Sequence, residues 1–283
     1  MNDFSDIPPG VSLADALRSA PLDTLENRIL VSHALQLTRI QLITQSDRLL
    51  TAAEATQLSA LFRRRLQGEP IAYIVGEREF FGLAMQVTPD VLIPRPDTEL
   101  LVELALERLP QQGKALDMGT GSGAIAVAIA HTRSDVSMTA LDVSEGALKV
   151  AANNAQRHGA KVNFLRSDWY AALGESPQPY LDLIVSNPPY IVAGDAHLSQ
   201  GDLRFEPIGA LTDHADGLSA LRIIIDGAAS YLKPDGWLLM EHGYDQSEAV
   251  RELLAQRGFS EVQSWRDLAG IERVSGGKLT ANS

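Results

Sequence analysis

From Lys114 onward the chain alternates between two patterns. Short apolar runs at "KALDMG", "VSMTALDV", "KVNFLRSD", "LDLIVSN" and "GWLLMEHG" read as strands, and longer stretches such as "SEGALKVAANNAQRH" and "DGLSALRIIIDGAASYL" read as helices between several of them. Strands separated by helices pair in parallel, because the crossover returns each one to the same end of the sheet. The pattern therefore predicts an α/β fold with an open, doubly wound sheet and ligands at the carboxyl ends of its strands.

Upstream the pattern is different. Residues 12 to 68 carry helical signals only, with Ser12 and Asp15, Asp23 and Glu26, and Thr51 and Glu54 spaced as capping pairs. In the last of these helices Leu58, Leu61, Phe62 and Leu66 share one face, and Arg63, Arg64 and Arg65 crowd the other as a solvated charged surface. "IAYIVGEREFFGLAMQV" is rich in β-branched and aromatic residues and is punctuated by Gly76 and Gly82, which predicts a hairpin. Pro94 and Pro96 keep the chain extended before a helix that starts at Asp97 or Thr98. At the far end "GGKLTANS" reads as a loose tail.

Bulk properties exclude several classes of function. With 45% hydrophobic residues in 283, the chain can bury a large domain and a smaller one. Its formal charge of -12 repels polyanions, so no direct nucleic-acid binding is expected. The absence of cysteine excludes disulfides and thiolate metal sites, and the six histidines show no ligand-like pairing, so no metal is expected. Neither a basic leader followed by an apolar core nor an apolar run long enough to span a membrane occurs, which predicts a cytoplasmic protein.

"LDMGTGSGAIAVAIA" places Gly119, Gly121 and Gly123 between a strand and a helix of small residues. Such a loop lets a ligand approach the backbone, and the helix start offers unpaired N–H groups. Asp142 follows Gly123 by nineteen residues, at the end of the next strand, where a carboxylate can accept both hydroxyls of a ribose. Together these residues favour an adenosine-containing cofactor. The glycines alone do not decide between a dinucleotide, read through Gly119, Gly121 and Ala124, and S-adenosylmethionine, read through Asp117 ahead of the loop. Asp168 and Trp169 end the third strand; the likeness to S-adenosylmethionine-dependent methyltransferases implies that this loop flanks the adenine, with the indole stacking on it and the carboxylate accepting from its amino group, and plain core packing is the alternative for Trp169.

The fourth strand stops on Asn187, Pro188, Pro189 and Tyr190. Two prolines stiffen this turn and free the Pro188 carbonyl from a regular ladder. That carbonyl and the Asn187 side-chain oxygen form a pair of acceptors suited to a planar –NH2 group. Gripping both N–H bonds orients a poor nucleophile and stabilises the positive charge that grows on it during methyl transfer. Tyr190 can close the pocket against a flat substrate group.

Six segments in order, "EPIAYIVGEREFFGLAMQV", "LIPRPDTELLVE", "LDMGTGSGAIA", "SNPPYI", "RFEPIGAL" and "LLMEHG", resemble the HemK/PrmC family of protein-glutamine methyltransferases over nearly the whole chain. The resemblance implies S-adenosylmethionine as cofactor and class 1 peptide chain release factors as partners, with methylation on the side-chain amide of the glutamine in their Gly-Gly-Gln motif. It implies a helical substrate-recognition domain over 1–70, a β-hairpin connector over 71–94 and a Rossmann-like methyltransferase domain over 95–283. Asp117, Gly119, Thr120, Gly121, Ser122, Gly123, Asp142, Asp168 and Trp169 would meet the cofactor. Asn187 would lie between cofactor and glutamine, and Asn187, Pro188, Pro189 and Tyr190 would hold the glutamine, with Asn187, Pro188 and Tyr190 as the catalytic group. Arg95 and Glu206, in the matching "RPDTE" and "RFEP" segments, would brace the rim as an ion pair.

Rival readings are glutamine methylation of a ribosomal protein and amino-methylation of a nucleic-acid base, which call for the same turn geometry. A non-catalytic cofactor-binding module and an NAD-dependent oxidoreductase leave the Asn187 turn without a purpose.

Overall fold

A computed structural model describes residues 4–174 and 178–280. The chain divides into two compact units, one ending at Gly76 and the other beginning at Glu77.

The first unit is helical: α1 (Leu13–Ser19), α2 (Thr24–Leu35), α3 (Arg39–Thr44), α4 (Ala52–Leu66) and α5 (Ile71–Val75). Ser12, Asp23 and Thr51 each cap a helix as their spacing predicts, and Thr38 with Gln41 adds a reciprocal capping box at α3. Leu13, Leu30, Leu58 and Phe62 are fully buried in its core. The arginine run is not simply solvated: Arg63 pairs with Asp6, Arg64 with Glu69 and Arg65 with Glu26. Residues 71 to 75 correct the hairpin reading. They form a helical turn that begins after Pro70 and stops at Gly76, whose φ of +84° lies in the left-handed region.

The hairpin proper is β1 (Glu77–Phe80) with β2 (Leu83–Gln86), and it belongs to the second unit. Phe80 and Met85 are buried in that unit's core, and Gln86 is held by Asn154, whose amide accepts from the Gln86 N–H at 2.7 Å. After a 3-10 turn at Pro96–Thr98 come α6 (Glu99–Arg108), β3 (Lys114–Met118), α7 (Ala124–Thr132), β4 (Ser137–Asp142), α8 (Glu145–Arg157), β5 (Val162–Arg166) and β6 (Leu181–Ser186). Then follow α9 (Ile208–Leu211), α10 (Ser219–Ala228), β7 (Leu232–Glu241), α11 (Ser247–Gln256), β8 (Phe259–Arg266) and β9 (Glu272–Leu279).

These seven strands form one sheet in the order β5-β4-β3-β6-β7-β9-β8, parallel from β5 to β7. One face packs on α6 and α7 through Leu101, Val127 and Val185, and the other on α10 and α11 through Ile184, Leu221 and Leu254. The chain runs outward from β3 to β5 and then returns to lay β6 on the other side of β3. That reversal opens a crevice between the carboxyl ends of β3 and β6.

The expected loose tail is corrected as well. Gly276 to Leu279 lie inside β9, antiparallel to both β7 and β8, while residues 281–283 lie outside the described residues. The two glycines reflect close packing: a Cβ on Gly276 would stand 2.4 Å from the Leu238 carbonyl, and one on Gly277 2.9 Å from the Phe259 Cβ. Among the described residues no helix is long and apolar enough to cross a membrane, and no cluster of His, Asp or Glu could hold a metal ion.

Candidate active site

The carboxyl ends of β3, β4, β5 and β6 meet around a cavity of about 300 Å³, within the size range of small-molecule sites. Met118 pairs with Leu141 on one side and with Ser186 on the other, so Gly119, Asp142 and Asn187 leave the sheet side by side. Ser186 reinforces the junction by donating its hydroxyl to the Met118 carbonyl at 2.7 Å.

The glycine loop is pinned at several points. Thr120 donates its N–H to the Leu141 carbonyl at 2.9 Å, and Gly121 donates to Asp142 Oδ2 at 2.8 Å. Gly123 faces α8 so closely that a Cβ would stand 2.9 Å from that of Ala151. The loop therefore curls tightly into α7 and presents its backbone to the cavity.

Asp117 sits beneath this loop, fully buried, with Oδ2 accepting the Thr120 hydroxyl at 2.6 Å. Its Oδ1 has no hydrogen-bond partner among the described residues. Burial pushes its pKa up to about 7, with Asp142 adding to the rise and the Thr120 bond opposing it. Asp142 is likewise raised by burial, although it accepts the N–H groups of Gly121 and Ser144. Two carboxylates beside a cavity, one with an unsatisfied oxygen, suit a ligand that carries hydroxyls and positive charge.

Of the residues singled out in the sequence, Gly119, Thr120, Gly121, Ser122, Asp142, Asp168, Trp169, Asn187 and Pro189 line the cavity. Asp117, Gly123, Pro188 and Tyr190 are not among its lining residues. Trp169 has a φ of +47°, held in part by the Ser167 hydroxyl donating to its carbonyl at 2.6 Å, and also packs on the core beside α10. Arg95 and Glu206 do form the expected ion pair, and Glu206 also accepts the Ile93 N–H at 3.0 Å.

The turn after β6 is tied down on both sides. Asn187 donates Nδ2 to the Thr98 hydroxyl at 3.2 Å. Tyr190 donates its hydroxyl to Glu241 Oε1 at 3.3 Å, and burial with the neighbouring Glu241 charge raises its pKa. Neither Thr98 nor Glu241 was picked out as a site residue by sequence reasoning. The available signal was their place inside the matching "RPDTE" and "MEHG" segments.

Comparison with known proteins agrees with this geometry. The family model described as PrmC N-terminal domain matches residues 12–76, and that described as methyltransferase small domain matches residues 96–202. A release factor glutamine methyltransferase of Burkholderia pseudomallei is 54% identical over 280 residues, covering 96% of this chain and 98% of that protein. The chain belongs to the release factor glutamine methyltransferase family. Another member, from Bordetella pertussis, is 55% identical over 271 residues, covering 94% of this chain and 99% of its own. The fold extends further: a methyltransferase from Pyrococcus furiosus superposes with a TM-score of 0.54 at 21% identity, over 77% of this chain and 98% of its own.

Proposed function

We propose that this protein transfers a methyl group from S-adenosylmethionine to the side-chain amide nitrogen of the glutamine in the Gly-Gly-Gln motif of class 1 peptide chain release factors, in the cytoplasm. The observation that carries the proposal is the juxtaposition of the Asn187 turn with the glycine loop on adjacent strands, together with the orientation of Asn187. Its amide nitrogen is engaged by Thr98, so its oxygen is the end left for the crevice.

The residues fit the cofactor. Asp142 would hold the ribose, Asp168 and Trp169 the adenine, and the backbone of Gly119 to Ser122 the remainder, with Asp117 supplying negative charge from below. When bound, S-adenosylmethionine supplies an electrophilic methyl on a sulfonium.

The chain's own contribution is to prepare the nucleophile. Asn187 Oδ1 and the Pro188 carbonyl accept the two N–H bonds of the glutamine amide, turning its nitrogen toward the cavity. As the nitrogen gains its fourth bond it becomes positive, and the two oxygens stabilise that charge. The extra proton then leaves to solvent, so no strong base has to act first. Alignment of this kind supplies up to about 7–11 kcal/mol of a barrier.

The test is incubation with labelled S-adenosylmethionine and a purified release factor, beside one whose Gly-Gly-Gln glutamine is replaced. Label on the first alone is expected. Label on both, or on neither, overturns the assignment.

A further inference from the structure

Where the chain leaves β7 for α11, one side chain joins three separate stretches of backbone. Gln246 immediately precedes α11, and its Nε2 donates to the Tyr190 carbonyl at 3.1 Å and to the Gly217 carbonyl at 3.2 Å, while its Oε1 accepts the Gly243 N–H at 2.8 Å. Its own N–H donates to the Gly243 carbonyl at 3.1 Å, which folds the residue back over the end of β7. The turn that carries Gly217 is shaped in its own right by Asp213, whose carboxylate accepts the N–H groups of Ala215, Gly217 and Ser219.

These partners are main-chain groups of fixed polarity: a carbonyl only accepts and an N–H only donates, so they dictate which way the Gln246 amide points. Two donors and an acceptor in one plane are what a primary amide offers. An ionised glutamate lacks the donors, lysine and arginine lack the acceptor, and asparagine is one methylene shorter. The approach is also close. Gly217 has a φ of +77°, and a Cβ on it would stand 2.5 Å from the Tyr190 carbonyl oxygen and 2.7 Å from Gln246 Nε2. Beyond Tyr190 the chain stays held, with Ile191 donating to the Leu211 carbonyl and Ala193 to the Ala215 carbonyl, both at 3.0 Å. Before it lie Pro188 and Pro189, whose rings fix φ, so few torsions are left to absorb a shift between the Tyr190 and Pro188 carbonyls. A displaced Tyr190 carbonyl carries the Pro188 carbonyl with it.

We infer that Gln246 is a positioning residue for methyl transfer: it fixes the Tyr190 carbonyl and, through the two prolines, sets where the Pro188 carbonyl meets the substrate amide. This inference rests on the methyl-transfer reading. It gives a role in the reaction to a side chain that lies outside the Asn187 turn and does not line the cavity.

Single-turnover methylation at saturating cofactor and release factor, with cofactor affinity measured by calorimetry, tests it in Gln246→Met and Gln246→Glu. Gln246→Met keeps the length of the side chain and loses its donors, and should slow transfer by roughly 5–30-fold, the worth of two ordinary hydrogen bonds, with cofactor affinity unchanged. Gln246→Glu should be as slow when ionised, but its protonated carboxyl regains one O–H donor. Its rate relative to wild type should therefore rise several-fold from about pH 8 to about pH 5.5, while that of Gln246→Met stays level. Dividing by the wild-type rate removes the groups common to all three proteins, Glu241 and His242 among them. A wild-type rate in Gln246→Met, or a level ratio in Gln246→Glu, overturns the inference.

A wild-type protein inactive on release factors would overturn the functional reading instead. Hydrogen exchange of the Ile191 backbone N–H, followed by nuclear magnetic resonance without substrate, still decides whether Gln246 holds the turn. Faster exchange in Gln246→Met supports it, and unchanged exchange refutes it. Should the substituted chains fail to fold, the Gln246 –NH2 of the wild-type protein decides: slowed exchange of both protons supports the double donation, and exchange at the rate of a free glutamine refutes it.

Discussion

The carboxylate of Asp142 accepts the N–H of Gly121 at 2.8 Å, so the end of β4 fixes the curvature of the loop that follows its neighbour β3. Its other oxygen accepts the Ser144 N–H at 2.9 Å. One side chain therefore both shapes the loop and faces the cavity.

Asp142→Ala should accordingly weaken S-adenosylmethionine binding by about 1.5–3 kcal/mol, the range for hydrogen bonds to a charged group. Calorimetric titration measures this. An affinity equal to wild type would separate Asp142 from the cofactor.

Asn187→Ala should have the opposite profile. Methyl transfer should fall by roughly 10²–10³-fold, as when one preorganised polar contact is removed, while cofactor affinity stays near that of wild type. Rapid-quench single-turnover measurements distinguish the two effects, and an unchanged rate would remove Asn187 from the reaction.

Arg95 and Glu206 should respond unequally to substitution. Glu206 is buried and also carries the Ile93 N–H, whereas a third of the Arg95 side chain is exposed. Arg95→Ala strands a buried carboxylate and should cost about 3–5 kcal/mol of stability. Glu206→Gln keeps an acceptor for Ile93 and leaves an arginine able to turn to water, so it should cost less. Urea denaturation of both variants tests the order.

Asp117 predicts a pH dependence. Its pKa in the folded protein, pushed up to about 7, exceeds the usual carboxylate value, so between roughly pH 4 and 7 the folded state binds more protons than the unfolded one. Stability contributed by this group is present below that window and is lost as pH rises through it, by at most about 1.4 kcal/mol per pH unit. Asp117→Asn should remove this part of the slope. Denaturation across that range, wild type against variant, measures the difference, and parallel curves would show that Asp117 is ionised throughout.

The sequence revealed those features whose chemistry is local. The glycine loop, Asp142 and the Asn187 turn declare themselves because each needs particular residues in a short span at a strand end. The contacts of Thr98 with Asn187 and of Glu241 with Tyr190 span 89 and 51 positions, and no local pattern announces them. Local composition also misled. The β-branched "IAYIV" folds as a helical turn because Pro70 and Gly76 bound it, and Gly276 and Gly277 read as slack although neighbouring atoms leave no space for a side chain.

The placement of β9 has a consequence for how the sheet is assembled. β9 follows β8 in the chain, yet it is inserted between β7 and β8 instead of being added at an edge. Until it arrives, β7 presents an unpaired margin directly beneath the residues that hold the Asn187 turn, and such margins invite pairing with other chains. A chain that lacks β9 should therefore aggregate instead of surviving as a weakened enzyme.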